Sequence, residues 1–322
     1  MGRRTFIQLY YKGEKLDQWI NDYLTSFTYD DPAAGESDSI SISLRDTEKQ
    51  WIGKWMPIKG DYLVAAINDK TCGAFLIDDI SFSGRPIQAN IKGVSTPANT
   101  CFKKTKRSKT WEKISIQEIG KQIASVYDLD FVYDGGVVKI DSLEQSEQSD
   151  SEFLENLCKK YGLSMKLYYY KLIIYDDAMY EKKEKIKTID ESDMLSWSFN
   201  STLNGTYTGG KIQYTNPNSE KTIDLVVGDS TRLYESTEKA DSLQDAKRII
   251  VSAVNEANKD AETISFSLPG LEHELYASNV IEITGLEKAN GLYYVSKVSH
   301  SVGSGYTISV EARKIQPRLT VT

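Results

Sequence analysis

The sequence predicts a mainly β protein with an α/β middle domain: two similar small β-barrel domains flanking a mixed domain. Three observations lead there. Ser39-Ile40-Ser41-Ile42-Ser43-Leu44 alternates strictly between polar and apolar residues, the period of a half-buried strand. The glycine-led phrase Gly73-Ala74-Phe75-Leu76-Ile77-Asp78-Asp79-Ile80-Ser81 has a counterpart in Gly291-Leu292-Tyr293-Tyr294-Val295-Ser296-Lys297-Val298-Ser299, 218 positions later. Helix-start signals are confined to the middle of the chain and to one segment near Ser242. The expected boundaries are 1–98 for the first barrel, 99–190 for the mixed domain and 191–322 for the second barrel, which carries a helical insertion at 239–259.

Length and composition set the limits. At ~150 residues per domain, 322 residues suggest two or three domains. A hydrophobic fraction of 40% is enough for real cores, and a net charge of -7 argues against bulk binding of nucleic acid. Tyrosine is abundant, 20 against nine Phe, which suits strand faces and interfaces where one end of the ring stays wet. The three cysteines (Cys72, Cys101 and Cys158) lie far apart without a C-x-x-C, which fits a reducing compartment better than a disulfide framework or a zinc site. No apolar run approaches ~18 residues. Met1-Gly2-Arg3-Arg4-Thr5-Phe6 has neither an export h-region nor a myristoylation signal, so a soluble chain made in the cytoplasm is expected.

Along the first barrel, Asp61 to Ile67 and Phe75 to Phe82 continue the strands, punctuated by Gly60, Gly73, Gly84 and Pro86. In the middle, Ser115-Ile116-Gln117-Glu118 reads as a capping box, in which hydroxyl and carboxylate each satisfy an orphan amide; Ile116, Ile119 and Ile123 then line one helical face. Leu129 to Tyr133 and Val137 to Ile140 flank Asp134-Gly135-Gly136 and read as a hairpin. Ser149-Asp150-Ser151-Glu152 reads as a second capping box, Phe153, Leu154, Leu157, Cys158 and Tyr161 as its apolar stripe, and Gly162 as the helix stop. Leu167 to Tyr175 is strand-like. The run Glu181-Lys182-Lys183-Glu184-Lys185-Ile186-Lys187 carries charge without period and reads as a linker or solvated strand edge. Strands then return around one helix, capped by Ser242 and Asp245, with Leu243, Ala246, Ile250, Ala253, Val254 and Ala257 on its buried face.

The repeat extends beyond the glycine-led phrase. Tyr62 falls on Val280 at the same offset. With small shifts, Ile40 to Leu44 matches Ile264 to Leu268, Ile87 to Ile91 matches Tyr306 to Val310, and Ser26-Phe27-Thr28-Tyr29 matches Ser196-Trp197-Ser198-Phe199. Two similar barrels per chain would let a cyclic trimer present six similar barrels in a ring.

Signals for chemistry are weak. Gly205-Thr206-Tyr207-Thr208-Gly209-Gly210-Lys211-Ile212 meets the G-x4-G-K spacing, but Ile212 stands where a hydroxyl should hold magnesium and a strand follows where a helix is needed; a Gly-rich turn is the better account. His273 and His300 lie far apart without cysteine partners, so no metal site is expected, and His300 reads as structural. No G-x-S-x-G occurs and no motif singles out a carboxylate pair. The strongest local charge cluster is Lys103, Lys104, Lys106, Arg107 and Lys109 with Trp111; it is a solvated loop or a contact to another protomer, a tube or passing DNA.

From Cys101 to Asp176 the motifs follow a specific order. The basic arm and Trp111 lead to a helix and a hairpin, then the Gln-rich turn Gln145-Ser146-Glu147-Gln148. The Ser149-Asp150-x-x-Phe153-Leu154 helix, Tyr161-Gly162 and another hairpin follow. This order resembles the phage late control protein D family, the baseplate hub of contractile tails, to which the N-terminal part of type VI secretion spike proteins is related. Pro269-Gly270, Gly285, Gly291-x-Tyr293, His300 and Gly305-Tyr306 are similar to the family's closing, tube-like barrel.

The resemblance implies a structural hub without catalysis or cofactor. Its partners would be itself as a homotrimer, a tail tube protein, a spike or tip protein and other baseplate proteins, with DNA only as cargo. It would assemble in the bacterial cytoplasm and then sit in the baseplate of a phage, a tailocin or a related contractile injection particle. No needle repeat follows the second barrel before Thr322, so the puncturing tip is expected on a separate protein. The rival expectation is a glycan-binding module or peptidoglycan hydrolase carried by the tail, with Trp51 and Trp55 stacking on sugar.

Overall fold

The computed structural model describes residues 5–97, 101–215, 222–270 and 274–320, with the side chains of 17–19 left aside. The first part contains β1 (Ile7–Tyr11), β2 (Glu14–Lys15), α1 (Asp17–Tyr23), β3 (Leu24–Pro32), β4 (Ser39–Arg45), β5 (Tyr62–Ile67), β6 (Lys70–Ser83) and β7 (Gln88–Val94). The alternation in β4 does what it predicts: Ile40, Ile42 and Leu44 are buried, and the serines between them are not. Their core also takes in Phe27, Tyr29, Trp51, Phe75 and Ile91.

The middle contains α2 (Cys101–Lys104), β8 (Lys106–Ser115), α3 (Ile116–Val126), β9 (Asp130–Asp134), β10 (Lys139–Ser149), α4 (Asp150–Lys160), β11 (Leu163–Tyr168), β12 (Lys171–Asp176) and α5 (Asp177–Tyr180). The capping box at Ser115 forms in full, and Ile116, Ile119 and Ile123 are buried as expected. At α4 only the hydroxyl half forms, with Glu152 N donating to Ser149 Oγ at 3.2 Å. Gly162 stops that helix at φ +72°, which a Cβ would strain. Asp134-Gly135-Gly136 turns the chain but does not make a hairpin. β9 pairs parallel with β12, whereas β10 leaves to pair with β8. The apolar runs on either side of the turn satisfy different sheets, and a local pattern cannot say which.

The last part contains β13 (Lys187–Asp190), β14 (Ser196–Ser201), β15 (Gly209–Thr215), β16 (Thr222–Gly228), β17 (Leu233–Ser236), α6 (Leu243–Asn258), β18 (Glu262–Pro269), β19 (Val280–Thr284), β20 (Gly291–Val302) and β21 (Tyr306–Lys314). The insertion is larger than a helix: β16-β15-β17 form their own sheet, on which α6 packs through Ala246, Ile249 and Ile250. Asp245 N donates to Ser242 Oγ at 3.1 Å, so the expected cap forms. Leu243, expected inside, is 60% exposed.

The duplication is present strand for strand. β3-β4-β7-β6-β5-β1 run in the same neighbour order as β14-β18-β21-β20-β19-β13. Tyr62↔Leu76 in the first corresponds to Val280↔Tyr294 in the second, and Ile42↔Ile91 corresponds to Phe266↔Val310. Gly73 and Gly291 share an unusual backbone, φ +141° and +143°. The register shifts on β6 and β20 fall at Asp78 and Ser296, again 218 positions apart. A glycine kink and a bulge at equivalent places bend a long strand so that it serves two sets of neighbours. The copies differ at one end, where β1 runs antiparallel to β5 but β13 runs parallel to β19. β20 also pairs with β3, so both copies join in one 13-stranded sheet.

Candidate functional site

Two features stand out: the joint between the repeats with the strand edges it leaves open, and a polar seam where the three parts of the chain meet. At the joint, Lys297↔Pro32 through Val302↔Phe27 pair antiparallel, and Ala33 N donates to Ser296 O at 2.8 Å. His300 lies in this joint, stacked on Tyr29 with ring centroids 5.7 Å apart and its Nδ1 2.9 Å from the Tyr306 hydroxyl. Burial lowers its pKa to about 4, so the imidazole is neutral at neutral pH and packs as an aromatic.

The seam centres on Lys166 of β11. Its ammonium bonds Asp31 Oδ1 and lies 3.1 Å from Asp38 Oδ1, at an angle that makes the second contact an ion pair without a good hydrogen bond. Asp38 accepts from the Tyr29 hydroxyl at 3.0 Å, and Asp31 Oδ2 accepts from Ala277 N at 2.9 Å. Asp31 therefore ties the first repeat to the middle and to the second repeat at once. Burial pushes the Asp38 pKa up to about 7, although Lys166 pulls against it. Burial also pulls the Lys166 pKa down, but Asp38 and Asp31 outweigh it and hold the ammonium above its ordinary value.

A second tie lies nearby. The Tyr175 hydroxyl donates to Ala33 O at 2.7 Å and meets the Tyr294 hydroxyl at 3.1 Å. Arg313 of β21 bonds Glu181, lies 3.4 Å from Asp177 Oδ2, and stacks 4.4 Å above the Tyr294 ring. Arg318 adds two bonds of 2.6 Å to Glu181. Burial alone would raise the Glu181 pKa, but Arg318 and Arg313 overcome it and hold the carboxylate below its ordinary range. Glu181 is thus buried and ion-paired, which corrects the reading of 181–187 as a linker or solvated edge at its first residue. No motif in the sequence singles these residues out. The available signal is Arg313, which is buried next to Ala312 where the alternation of its strand would turn it outward, and paired aspartates ahead of Pro32.

The basic arm does not form one free patch. Lys103 Nζ bonds Ser37 Oγ at 2.9 Å, and Arg107 Nε lies 3.6 Å from Asp150 Oδ2. Lys109 Nζ sits 3.4 Å above the Trp111 ring. Trp111 itself is core, stacked on Phe153 with centroids 6.1 Å apart. Lys104 and Lys106 remain exposed. Lys106 and its neighbours lie on β8, which pairs only with β10 among the described residues.

The other candidates resolve into packing. Gly209 and Gly210 open β15, and an added Cβ would meet Val227 O at 2.4 Å and Ile250 Cγ1 at 2.5 Å, so close packing accounts for both glycines. Trp51 is buried and packs edge-on against Trp55 in the first core, which leaves no stacking face for sugar on Trp51. His273 lies outside the described residues. Among the described residues, no three His, Cys, Asp or Glu side chains sit where they could share a metal ion. No described helix is long and apolar enough to cross a membrane.

No protein-family model matches the chain. A probable baseplate hub protein of Escherichia phage P2 is 28% identical over 201 residues, covering 59% of this chain and 51% of that protein. The chain thus spans about half the length of the curated relative it matches. Among solved structures, a tail protein from Neisseria meningitidis MC58 superposes with a TM-score of 0.79 at 9% identity over 97% of both chains. A type VI secretion component of E. coli, described as similar to T4 tail proteins gp27 and gp5, superposes with a TM-score of 0.64 at 9% identity over 97% of this chain and 79% of that one. At such identities these structures bear on the fold, and the phage relative supplies the sequence link. The duplicated sheet, the motif order from Cys101 to Asp176 and these relatives converge on one likeness: the chain resembles phage baseplate hub proteins in sequence and phage tail proteins in fold.

Proposed function

We propose that this protein is the structural hub of a contractile tail baseplate, a homotrimer that matches a six-fold tail tube to a three-fold spike. The observation that carries the reading is the duplication. Two copies of one six-strand unit, alike in neighbour order, glycine kink and bulge, give each chain two similar frameworks. Three such chains would offer six similar frameworks while keeping three-fold symmetry elsewhere. The work done is assembly, and it needs no reacting group. The units would be residues 1–98, 99–190 and 191–322, with tube and spike proteins as partners and the exposed lysines of 103–109 toward a neighbour or the lumen. Assembly would occur in the bacterial cytoplasm. The name of the phage P2 relative, a probable baseplate hub protein, and the PdpA-VgrG complex among the structural relatives support partners of this kind.

The test is mass and shape together. Light scattering at several concentrations should give three chains, and negative-stain images should show a ring with a central opening. A particle whose hub position, located by labelling this chain, lies away from the tube axis would sink the reading. A glycan-binding or hydrolytic role finds no specific support, since Trp51, one of its two candidate aromatics, is buried in the core.

A further inference from the structure

Between β8 and α3 runs a groove of about 840 Å³, bounded by Arg107, Lys109 and Trp111 of β8 and by Lys121, Ile123 and Val126 of α3. Pairing with β10 sets the first wall. Lys109 lies opposite Gln145 and Trp111 opposite Leu143, so alternation puts Arg107, Lys109 and Trp111 on one face of the ribbon. Gln122 and Val126 stand one turn apart on the flank of α3 that makes the second wall.

The groove is dry below and cationic at its rim. Trp111 and Ile123 are buried, whereas Val126 is 52% exposed and Lys109 and Lys121 are exposed. The one carboxylate that lines it, Asp150, is already held. It accepts from the Tyr127 hydroxyl at 2.5 Å and from Gln145 Nε2 at 2.8 Å, and lies 3.6 Å from Arg107 Nε. Arg107 balances that charge, and neither Lys109 nor Lys121 meets a carboxylate among the described residues. The indole N–H of Trp111 is buried and has no hydrogen-bond partner among them, which leaves a donor unmet beside the groove. β8 pairs with β10 alone among the described residues, so its other edge offers backbone donors and acceptors to a further strand.

We infer that this groove docks an extended acidic segment of another protein, laid along the open edge of β8 as an added strand. Strand addition needs a free edge for main-chain bonds and room for every second side chain, and β8 with its groove supplies both. Charge selects the segment. Carboxylates at alternate positions meet Lys109 and Lys121, and an apolar side chain on the same face covers Val126 and the floor beneath it. A nucleic acid would also answer the cations, but the one ring lining the groove, Trp111, is buried against Phe153 and offers no face to a base. The inference rests on the hub reading only in taking the partner from the same particle.

The test uses the full chain and a labelled peptide, Glu-Thr-Glu-Thr-Val-Thr-Glu-Thr, in fluorescence anisotropy. Binding is expected, and it should weaken as salt rises from about 50 to about 300 mM. Lys109→Glu with Lys121→Glu should weaken it roughly tenfold. Lys182→Glu, exposed and outside the groove, should leave it unchanged. Melting curves check the variants, and Lys121→Glu alone serves if the double variant is destabilised. The same residues ordered Glu-Glu-Glu-Val-Thr-Thr-Thr-Thr should bind more weakly, because the acids then fall on both faces of a strand. No binding, equal binding of the two peptides, or an equal loss with Lys182→Glu overturns the inference. So does a single-stranded oligothymidine that displaces the peptide at lower concentration, which assigns the groove to nucleic acid. Peptide binding that disappears as the mass in light scattering rises assigns it to another copy of this chain and overturns it too. A three-chain mass without peptide binding overturns the docking and leaves the hub reading standing; peptide binding by a single-chain mass does the reverse.

Discussion

Lys166→Met is the sharpest probe of the seam. The substitution keeps the length and apolar stem of the side chain and removes the cation between Asp31 and Asp38. Breaking a buried ion pair by deleting one partner costs about 3–5 kcal/mol, because a carboxylate is left without compensation. The cost depends on pH because of Asp38. Its folded pKa of about 7 lies above the ordinary 3.8, so it contributes most to stability below the unfolded value, and that contribution is lost as pH rises through about 7. One pKa unit is worth 1.36 kcal/mol, so that window spans about 4 kcal/mol for this buried group. Without Lys166 the Asp38 pKa rises further. At pH 8.5 Asp38 is charged in the parent protein, so deleting the cation carries the full loss of about 3–5 kcal/mol. At pH 5 Asp38 is protonated, one carboxylate remains to be compensated, and the loss should fall by at least about 1 kcal/mol. Urea unfolding at the two pH values, followed by circular dichroism and tryptophan fluorescence, measures both numbers. A loss under about 1 kcal/mol at pH 8.5, or a larger loss at pH 5 than at pH 8.5, would refute the account of a single cation holding two buried carboxylates.

Further outcomes follow from particular residues. His300→Gln should flatten acid destabilisation. A neutral imidazole with a folded pKa of about 4 contributes stability above pH 6.5 that is lost as pH falls toward 4, so melting temperatures from pH 7 to pH 4 should fall less in the variant. Gly210→Ala should cost about 1–3 kcal/mol in unfolding measurements, since its Cβ would meet Ile250 Cγ1 at 2.5 Å and Val254 Cγ2 at 2.8 Å within a packed helix–sheet layer. Lys106→Glu with Arg107→Glu should reduce particle assembly in a salt-dependent way if the arm faces a neighbour; unchanged assembly at low salt would remove that role.

The elements with a clear period are legible in the residues themselves. β4, α3, α4 and the Ser242-capped α6 lie where alternation, caps and apolar stripes put them, because those signals act within a few residues. The duplication is legible too, since equivalent strands with the same kink keep the same residue types at the same spacing. The turn at Asp134-Gly135-Gly136 is visible in the same way, but the sheets that its flanking strands join are not. Strand partners are chosen by long-range packing, and a short apolar run fits more than one. Trp111 reads as part of a surface arm, yet Phe153, far along the chain, stacks on it in the core. Glu181 reads as solvated, yet Arg313 and Arg318, more than a hundred positions away, neutralise it. The sequence alone determined the β-rich class, the positions of α3, α4 and α6, the repeat and the family resemblance, but not α1, α2 or α5. Only the tertiary structure decided that the repeats share one sheet, that Asp31 ties three parts together, and which strand edges stay open. Local periodicity records which face of an element is dry, whereas charge pairing and edge exposure depend on what the rest of the chain brings alongside.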